Sequence, residues 1–249
     1  MPRSVRKDPS TVDSSRYGSL AEYNRKRHFG ITTEPSGRLG KKTAGPALQF
    51  VIHKHAASHL HYDFRFEFAG VMKSWAVPKG PALDPSVKRL AMAVEDHPMD
   101  YSQFEGVIPE GEYGGGTVMI WDKGVWIPEV EDIGAALAKG QLKFRLEGHK
   151  LQGSWALVHT DDRRWLLVKH RDGFASSTRD IVVEESKSVV SRRSMKAISI
   201  AAGGTERQIE RAAAVDPVKP RARATVPSIG VATKRRAAKA RARKPARKR

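Results

Sequence analysis

The segment His55-Ala-Ala-Ser-His59-Leu-His61-Tyr-Asp63-Phe-Arg65-Phe-Glu67-Phe68 concentrates more chemistry than any other part of this 249-residue chain. Read as an extended strand, its side chains alternate between two faces. Tyr62, Phe64, Phe66 and Phe68 form an aromatic face suited to a core, while His61, Asp63, Arg65 and Glu67 share the other. Two imidazoles and a carboxylate suit a borderline-to-hard divalent cation. A guanidinium two residues along a strand can grip a pair of phosphate oxygens. The pattern therefore points to a metal beside a phosphate. The plainer reading is a solvated polar face, and the crowding of four of the nine histidines (His53, His55, His59, His61) into nine residues counts against it. His53 shares a face with His55 and suits a supporting role, whereas His59 falls in a turn facing solvent.

A second candidate is Val94-Glu-Asp-His97-Pro-Met-Asp-Tyr101, where His97 ends an apolar strand and Tyr101 can donate to an anion or cap the core. Lys79, Lys88 and Arg89 add positive charge nearby in sequence, with surface solvation as the plainer explanation. Gly111-Glu-Tyr-Gly-Gly-Gly-Thr117 lacks the Gly-Lys-Ser/Thr ending of a phosphate loop and opens a strand, so it reads as a tight turn.

Many short strands must position these groups. Alternation and turn chemistry predict strands near 48–54, 60–68, 72–77, 90–95, 116–121, 141–147, 153–160 and 164–170. One helix is expected near 130–139, ended by Gly140. The five tryptophans fall largely within strand patterns and read as barrel-wall or core residues. The fold class expected is mainly β: a compact barrel of about eight strands with few short helices and a disordered basic C-terminal tail. The chain divides into a polar arm (1–45), a barrel domain (46–184) and the tail (185–249).

Composition narrows the partners. Cysteine is absent, which excludes disulfides and thiolate metal sites; nitrogen and oxygen must hold any metal. The formal net charge is +18, but residues 185–249 carry 19 Lys/Arg against four Asp/Glu, leaving only +3 for residues 1–184. A tail of this kind suits sequence-independent contact with nucleic-acid phosphates. No apolar run reaches the ~18 residues of a membrane span and no signal-type core follows the N-terminus, so a soluble, cytoplasmic protein without membrane contact is expected.

Several ordered motifs carry a family resemblance. Phe50-Val-Ile-His-Lys-His55, Leu60-His-Tyr-Asp-Phe-Arg65, Ser74-Trp-Ala-Val-Pro-Lys-Gly-Pro81, Val94-Glu-Asp-His-Pro98, Tyr101 and Phe104–Thr117 form a series continued by Leu142–Leu146 and Trp165–His170. Over residues 20–180 the chain resembles the 3′-phosphoesterase domain of bacterial ATP-dependent DNA ligase D and its stand-alone relatives. The resemblance implies a β-barrel with a crescent groove and a manganese-dependent hydrolase site, other divalent metals being possible. It implies action on DNA or RNA/DNA primer-template 3′ ends in end-joining repair, beside a repair ligase and end-binding proteins, in a bacterial, nucleoid-associated setting. A terminal ribonucleoside is removed to leave a 3′-phosphate, which is then hydrolysed to a 3′-hydroxyl.

By the same resemblance, His55, His61 and Asp63 hold the metal. Arg65, His97 and Tyr101 hold the scissile phosphate, with Lys79 and Arg89 as supporting cations, and Arg27 and Glu34 of the arm take part. A protonated His97 can complete the phosphate cradle or protonate the leaving sugar oxygen. Two departures stand out: His28 replaces a usual aspartate and His53 a usual glutamine, the latter introducing a competing metal ligand. Two other readings compete: a non-haem iron oxygenase using His61, Asp63 and His97, and a non-catalytic nucleoid or DNA-binding protein recruited by its tail.

Overall fold

Alternating apolar residues and short turns produce nine strands: β1 (Leu48–Ala56), β2 (Leu60–Phe68), β3 (Val71–Val77), β4 (Lys88–Pro98), β5 (Gly106–Ile108), β6 (Gly116–Pro128), β7 (Gln141–Gly148), β8 (Gln152–Asp161) and β9 (Arg164–Lys169). This computed structural model describes residues 18–39 and 48–217. The sheet runs β1-β2-β3-β4-β9-β8-β7-β6-β5, and β1 also pairs with β6. That pairing runs antiparallel from Leu48↔Trp126 to Ala56↔Thr117 and closes an eight-strand barrel, with β5 added outside the closure along the start of β6. Closure removes the exposed sheet edges that an open sheet of this size would present.

One face of every closing strand fills the barrel. Phe50 and Ile52 of β1, Tyr62, Phe64 and Phe66 of β2, Trp75, Trp121, Trp126, Phe144, Trp155 and Trp165 belong to one buried cluster. The aromatic face expected for β2 is thus the core face. The opposite face of β1–β4 carries the polar residues, and they are buried too: His53, His55, Asp63, Arg65, Ser74 and His97 are all covered. Their cover comes from the arm and flanking turns. Helix α1 (Ala21–Arg25) follows a 3-10 turn, Gly18–Leu20, and Leu20 and Tyr23 cluster with Val71 and Tyr101. Tyr101 itself lies in the 3-10 turn Met99–Gln103 that leaves β4.

Helix α2 (Ile133–Lys139) matches expectation, with Asp132 capping its start and Gly140 ending it in the left-handed conformation at φ 78°. After the short α3 (Ile181–Glu184), the chain departs from the sequence reading. Residues 185–217, assigned above to a disordered basic tail, contain α4 (Met195–Ala201) and α5 (Glu206–Ala214). Met195, Ile198 and Ala212 join the main core, so the folded body extends past 184. Three polar side chains fix this pair. Buried Lys54 donates to the Val215 carbonyl at 2.7 Å, Asp216 accepts from the Met195 and Lys196 amides, and Gln208 donates to the Ile108 carbonyl at 2.8 Å. The remaining tail, the start of the arm and residues 40–47 lie outside the described residues. Among the described residues no helix is long and apolar enough to cross a membrane.

Candidate metal centre and phosphate pocket

Three potential ligands converge on the outer wall of the barrel. β1 and β2 pair with His55 opposite His61, and Asp63 follows two residues later on the same face. One donor atom from each of His55, His61 and Asp63 lies within 4.8 Å of the others. His55 Nδ1 is 3.7 Å from Asp63 Oδ2, and His61 Nε2 is 3.6 Å from Asp63 Oδ1.

Backbone carbonyls set the imidazole orientations. His55 Nε2 donates to the Gly114 carbonyl at 2.8 Å, and His61 Nδ1 donates to the His59 carbonyl at 3.0 Å. A carbonyl can only accept, so the other nitrogen of each ring offers its lone pair toward Asp63. Such outer hydrogen bonds are the usual means of fixing a metal-binding tautomer. Two lone pairs and a carboxylate facing one another form a donor set suited to a cation. It fits a divalent ion taking nitrogen and oxygen ligands, with coordination positions left for water or substrate.

Arg65 lies against this set with every guanidinium nitrogen engaged. Nη2 donates to Asp63 Oδ2 at 2.9 Å, Nη1 to Ser74 Oγ at 2.9 Å, and Nε to His53 Nδ1 at 3.3 Å. Each terminal nitrogen keeps a second hydrogen for a substrate oxygen. The Tyr101 ring sits 4.9 Å from the guanidinium carbon. Burial alone would raise the Asp63 pKa, but the Arg65 guanidinium beside it holds it well below the usual carboxylate range. His53 therefore supports Arg65 and stands outside the ligand group, which removes the competing ligand expected from the sequence.

The arm supplies a second guanidinium. Arg27 Nε donates to Glu34 Oε1 at 2.8 Å, Nη1 to the Tyr23 carbonyl at 3.2 Å, and Nη2 to His97 Nε2 at 3.1 Å. Glu95 Oε1 lies 3.4 Å from Nη1. Since a guanidinium only donates, His97 Nε2 is the accepting, unprotonated nitrogen, and its Nδ1 donates to the Glu95 carbonyl at 2.9 Å. Burial, reinforced by Arg65 and Arg27, holds this imidazole well below its ordinary pKa. The protonated His97 expected from sequence is thus replaced by a neutral ring that aligns Arg27. Its absence from the ligand group also removes the His61-Asp63-His97 arrangement on which the oxygenase reading depended.

His97 reaches the site through a bulge. β3 and β4 register as Met72↔His97 and Ser74↔Val94, one residue out of step. The extra residue lets Val94 and His97 face the same pocket although three positions apart, which strict alternation forbids.

Arg27, His55, His61, Asp63, Arg65, His97 and Tyr101 line one cavity of about 260 Å³. Glu34 stands behind it, buried against Arg27 and Thr32. Two expected cations do not join. Lys79 is exposed after β3, and Arg89 lines another cavity beside Asp84 and Asp180. Arg89 is eight residues before His97, roughly 26 Å along an extended strand at ~3.3 Å per residue. Sequence reasoning missed Glu95, Tyr113 and Gly114 as lining residues. His28, in contrast, sits at the exposed rim and pairs with Glu112 at 2.9 Å.

Fold and site together define a closed antiparallel barrel whose outer wall carries a His-His-Asp group that could hold a metal ion, flanked by two guanidinium groups. Residues 53–159 match the family model described as the DNA ligase D 3′-phosphoesterase domain. Over 182 residues the chain is 53% identical to the multifunctional non-homologous end joining protein LigD of Pseudomonas aeruginosa, covering 71% of this chain and 22% of that protein. It is 43% identical over 147 residues to the multifunctional non-homologous end joining DNA repair protein LigD of Mycobacterium tuberculosis, covering 59% and 19%. With the LigD of Mycolicibacterium smegmatis the figures are 37% over 169 residues, 66% and 22%. The chain belongs to the DNA ligase D 3′-phosphoesterase domain family, and it spans about a fifth of the length of these curated relatives.

Proposed function

We propose that this chain is a divalent-metal-dependent phosphoesterase that heals DNA 3′ ends in end-joining repair, with manganese as the cofactor. Its reactions are removal of a terminal ribonucleoside and hydrolysis of the resulting 3′-phosphate to a 3′-hydroxyl. The observation that carries this reading is the convergence of His55, His61 and Asp63 beside the two remaining hydrogens of Arg65. A metal held there would polarise the phosphoryl group and stabilise charge developing on its oxygens.

The protein's own groups do the positioning. Arg65 offers one hydrogen from each terminal nitrogen to the phosphate, in an orientation fixed by Asp63, Ser74 and His53. Arg27 lines the same pocket and supplies the second positive charge, steadied by Glu34 and Glu95. When a phosphate draws Arg27 Nη2 away from His97, the Nε2 so uncovered is the nitrogen of that ring able to exchange a proton with substrate. Tyr101 walls the pocket and supports Arg65 through its ring. Glu34 is a positioning residue in this scheme, and Lys79 and Arg89 act, at most, on nucleic acid outside the pocket.

The basic tail adds reach. Residues 218–249 contain 13 Lys/Arg and no Asp/Glu, and each phosphate contact they make contributes about −0.9 to the salt slope on duplex DNA. A ligase and end-binding proteins are the partners such a reaction requires, and a nucleoid setting suits the substrate.

The test uses a 5′-labelled primer-template ending in a 3′-phosphate, incubated with manganese or with chelator, for wild type and His61→Ala. Loss of the phosphate only in the wild-type, manganese-containing lane is expected. Equal primer mobility in every lane would leave the non-catalytic DNA-binding reading in its place.

A further inference from the structure

Helix α5 brings two arginines to the rim of the metal pocket, from a part of the chain beyond the 53–159 family match. Arg207 and Arg211 line a cavity of about 350 Å³ together with Ala57, Ser58, Gly111, Gly114 and Gly115. Ala57, Ser58 and Gly114 also line the metal pocket, so the two cavities share a wall. The arginines are four residues apart and therefore share one helix face, with Cβ atoms about 5–6 Å apart. Neither makes an ion pair or side-chain hydrogen bond among the described residues.

The helix is held to present them. Its capping box joins Thr205 and Gln208, Ala212 is buried, and Gln208 bonds the carbonyl of Ile108, which itself lines the metal pocket. The Val215 carbonyl just beyond it accepts from Lys54, one residue before the candidate ligand His55. The facing wall is glycine-rich, and a Cβ at Gly111 would meet nothing within 4 Å. Two carboxylates also line this cavity. Glu112 is already paired with His28, and Glu110 is exposed. Two guanidiniums without partners opposite an open backbone wall suit a chain of phosphodiesters better than a compact ligand.

We propose that Arg207 and Arg211 bind the backbone phosphates immediately 5′ of the reacting 3′ end, extending the pocket into a groove for the same strand. This rests on the esterase reading for the strand's direction, but its binding test needs no turnover. The full-length chain, as wild type and as Arg207→Gln/Arg211→Gln, is titrated in chelator against a fluorescent single-stranded 12-mer with a 3′-hydroxyl, and anisotropy is read over a salt series. Affinity about tenfold weaker is expected for the double variant at low salt. Its slope of log affinity against log salt should be shallower by about 1.4, from two contacts at ~0.7 each. Arg207→Lys/Arg211→Lys should restore most of the slope, and all three proteins should unfold at the same temperature. In the hydrolysis assay, the Gln variant should raise KM for a 3′-phosphorylated 12-mer while leaving a deoxynucleoside 3′-monophosphate, which has no upstream phosphate, unaffected. Wild-type affinity and slope in the Gln variant, or an equal loss on both hydrolysis substrates, would overturn the proposal.

Discussion

Replacing Asp63 with asparagine tests whether one carboxylate holds the site together before any metal arrives. The Arg65 side chain is 4% exposed, and among the described residues Asp63 is the only carboxylate paired with it. His53 and Ser74, its other partners, contribute no negative charge. The asparagine side chain keeps the shape but strands a buried guanidinium, and breaking a buried pair from one side costs about 3–5 kcal/mol. A Coulomb estimate at about 4 Å and an effective dielectric near 20 gives about 4 kcal/mol, in the same range. For a folded body of this size the loss lowers the unfolding midpoint by roughly 6–20 °C, at ~2–4 °C per kcal/mol. The assay is thermal or urea unfolding in chelator, so that metal binding does not contribute. A second arm adds Arg65→Gln to Asp63→Asn. With both charges gone, the double variant should lose much less than the two single changes added together. A loss below about 1 kcal/mol in Asp63→Asn, or strict additivity in the double variant, would refute the view that this pair is the site's electrostatic keystone.

Three further outcomes follow from the same contacts. Glu34→Gln weakens the hold on Arg27 Nε from behind the pocket, and turnover of a 3′-phosphorylated primer should fall at least tenfold, with metal affinity unchanged in a manganese titration. Burial pushes the Asp122 carboxyl up to about 6 despite three backbone N–H donors, from an ordinary 3.8. Its contribution to stability is therefore complete below pH 4 and lost as pH rises through 6, so the destabilisation by Asp122→Asn, measured by urea unfolding, should shrink across that window by up to about 3 kcal/mol at ~1.36 kcal/mol per unit. Ending the chain at 184 removes Met195, Ile198 and Ala212 from the core and leaves Lys54 without the Val215 carbonyl, so its thermal midpoint should fall well below that of a chain ending at 217.

Much of this architecture is legible in the residues because barrel strands alternate faithfully. Tyr62, Phe64 and Phe66 predict the core face of β2, and His61, Asp63 and Arg65 predict the opposite one. Eight of the nine strands fall where turn chemistry separates apolar segments; β5, three residues long, is too short to leave a periodic signal. His97 required tertiary information, since only the β4 bulge turns it to the pocket. Gly114 acts through its carbonyl, which side-chain chemistry does not reveal. The packing of the α4–α5 pair onto the barrel was hidden by its surroundings, because small and charged residues dilute its apolar face. One local signal was present all the same: Thr205-Glu-Arg-Gln208 has the spacing of a capping box, and the structure forms it. The neutral form of His97 has an electrostatic cause that sequence does not display, since burial and two nearby guanidiniums favour it.

The most direct measurement is a calorimetric titration of manganese into metal-free protein, run beside His61→Ala and Asp63→Asn. One ion bound per wild-type chain, with binding lost or weakened at least a hundredfold in both variants, is the predicted result. Wild-type protein that takes up no ion, or variants that bind as tightly as wild type, would contradict the assignment of His55, His61 and Asp63 as the ligands.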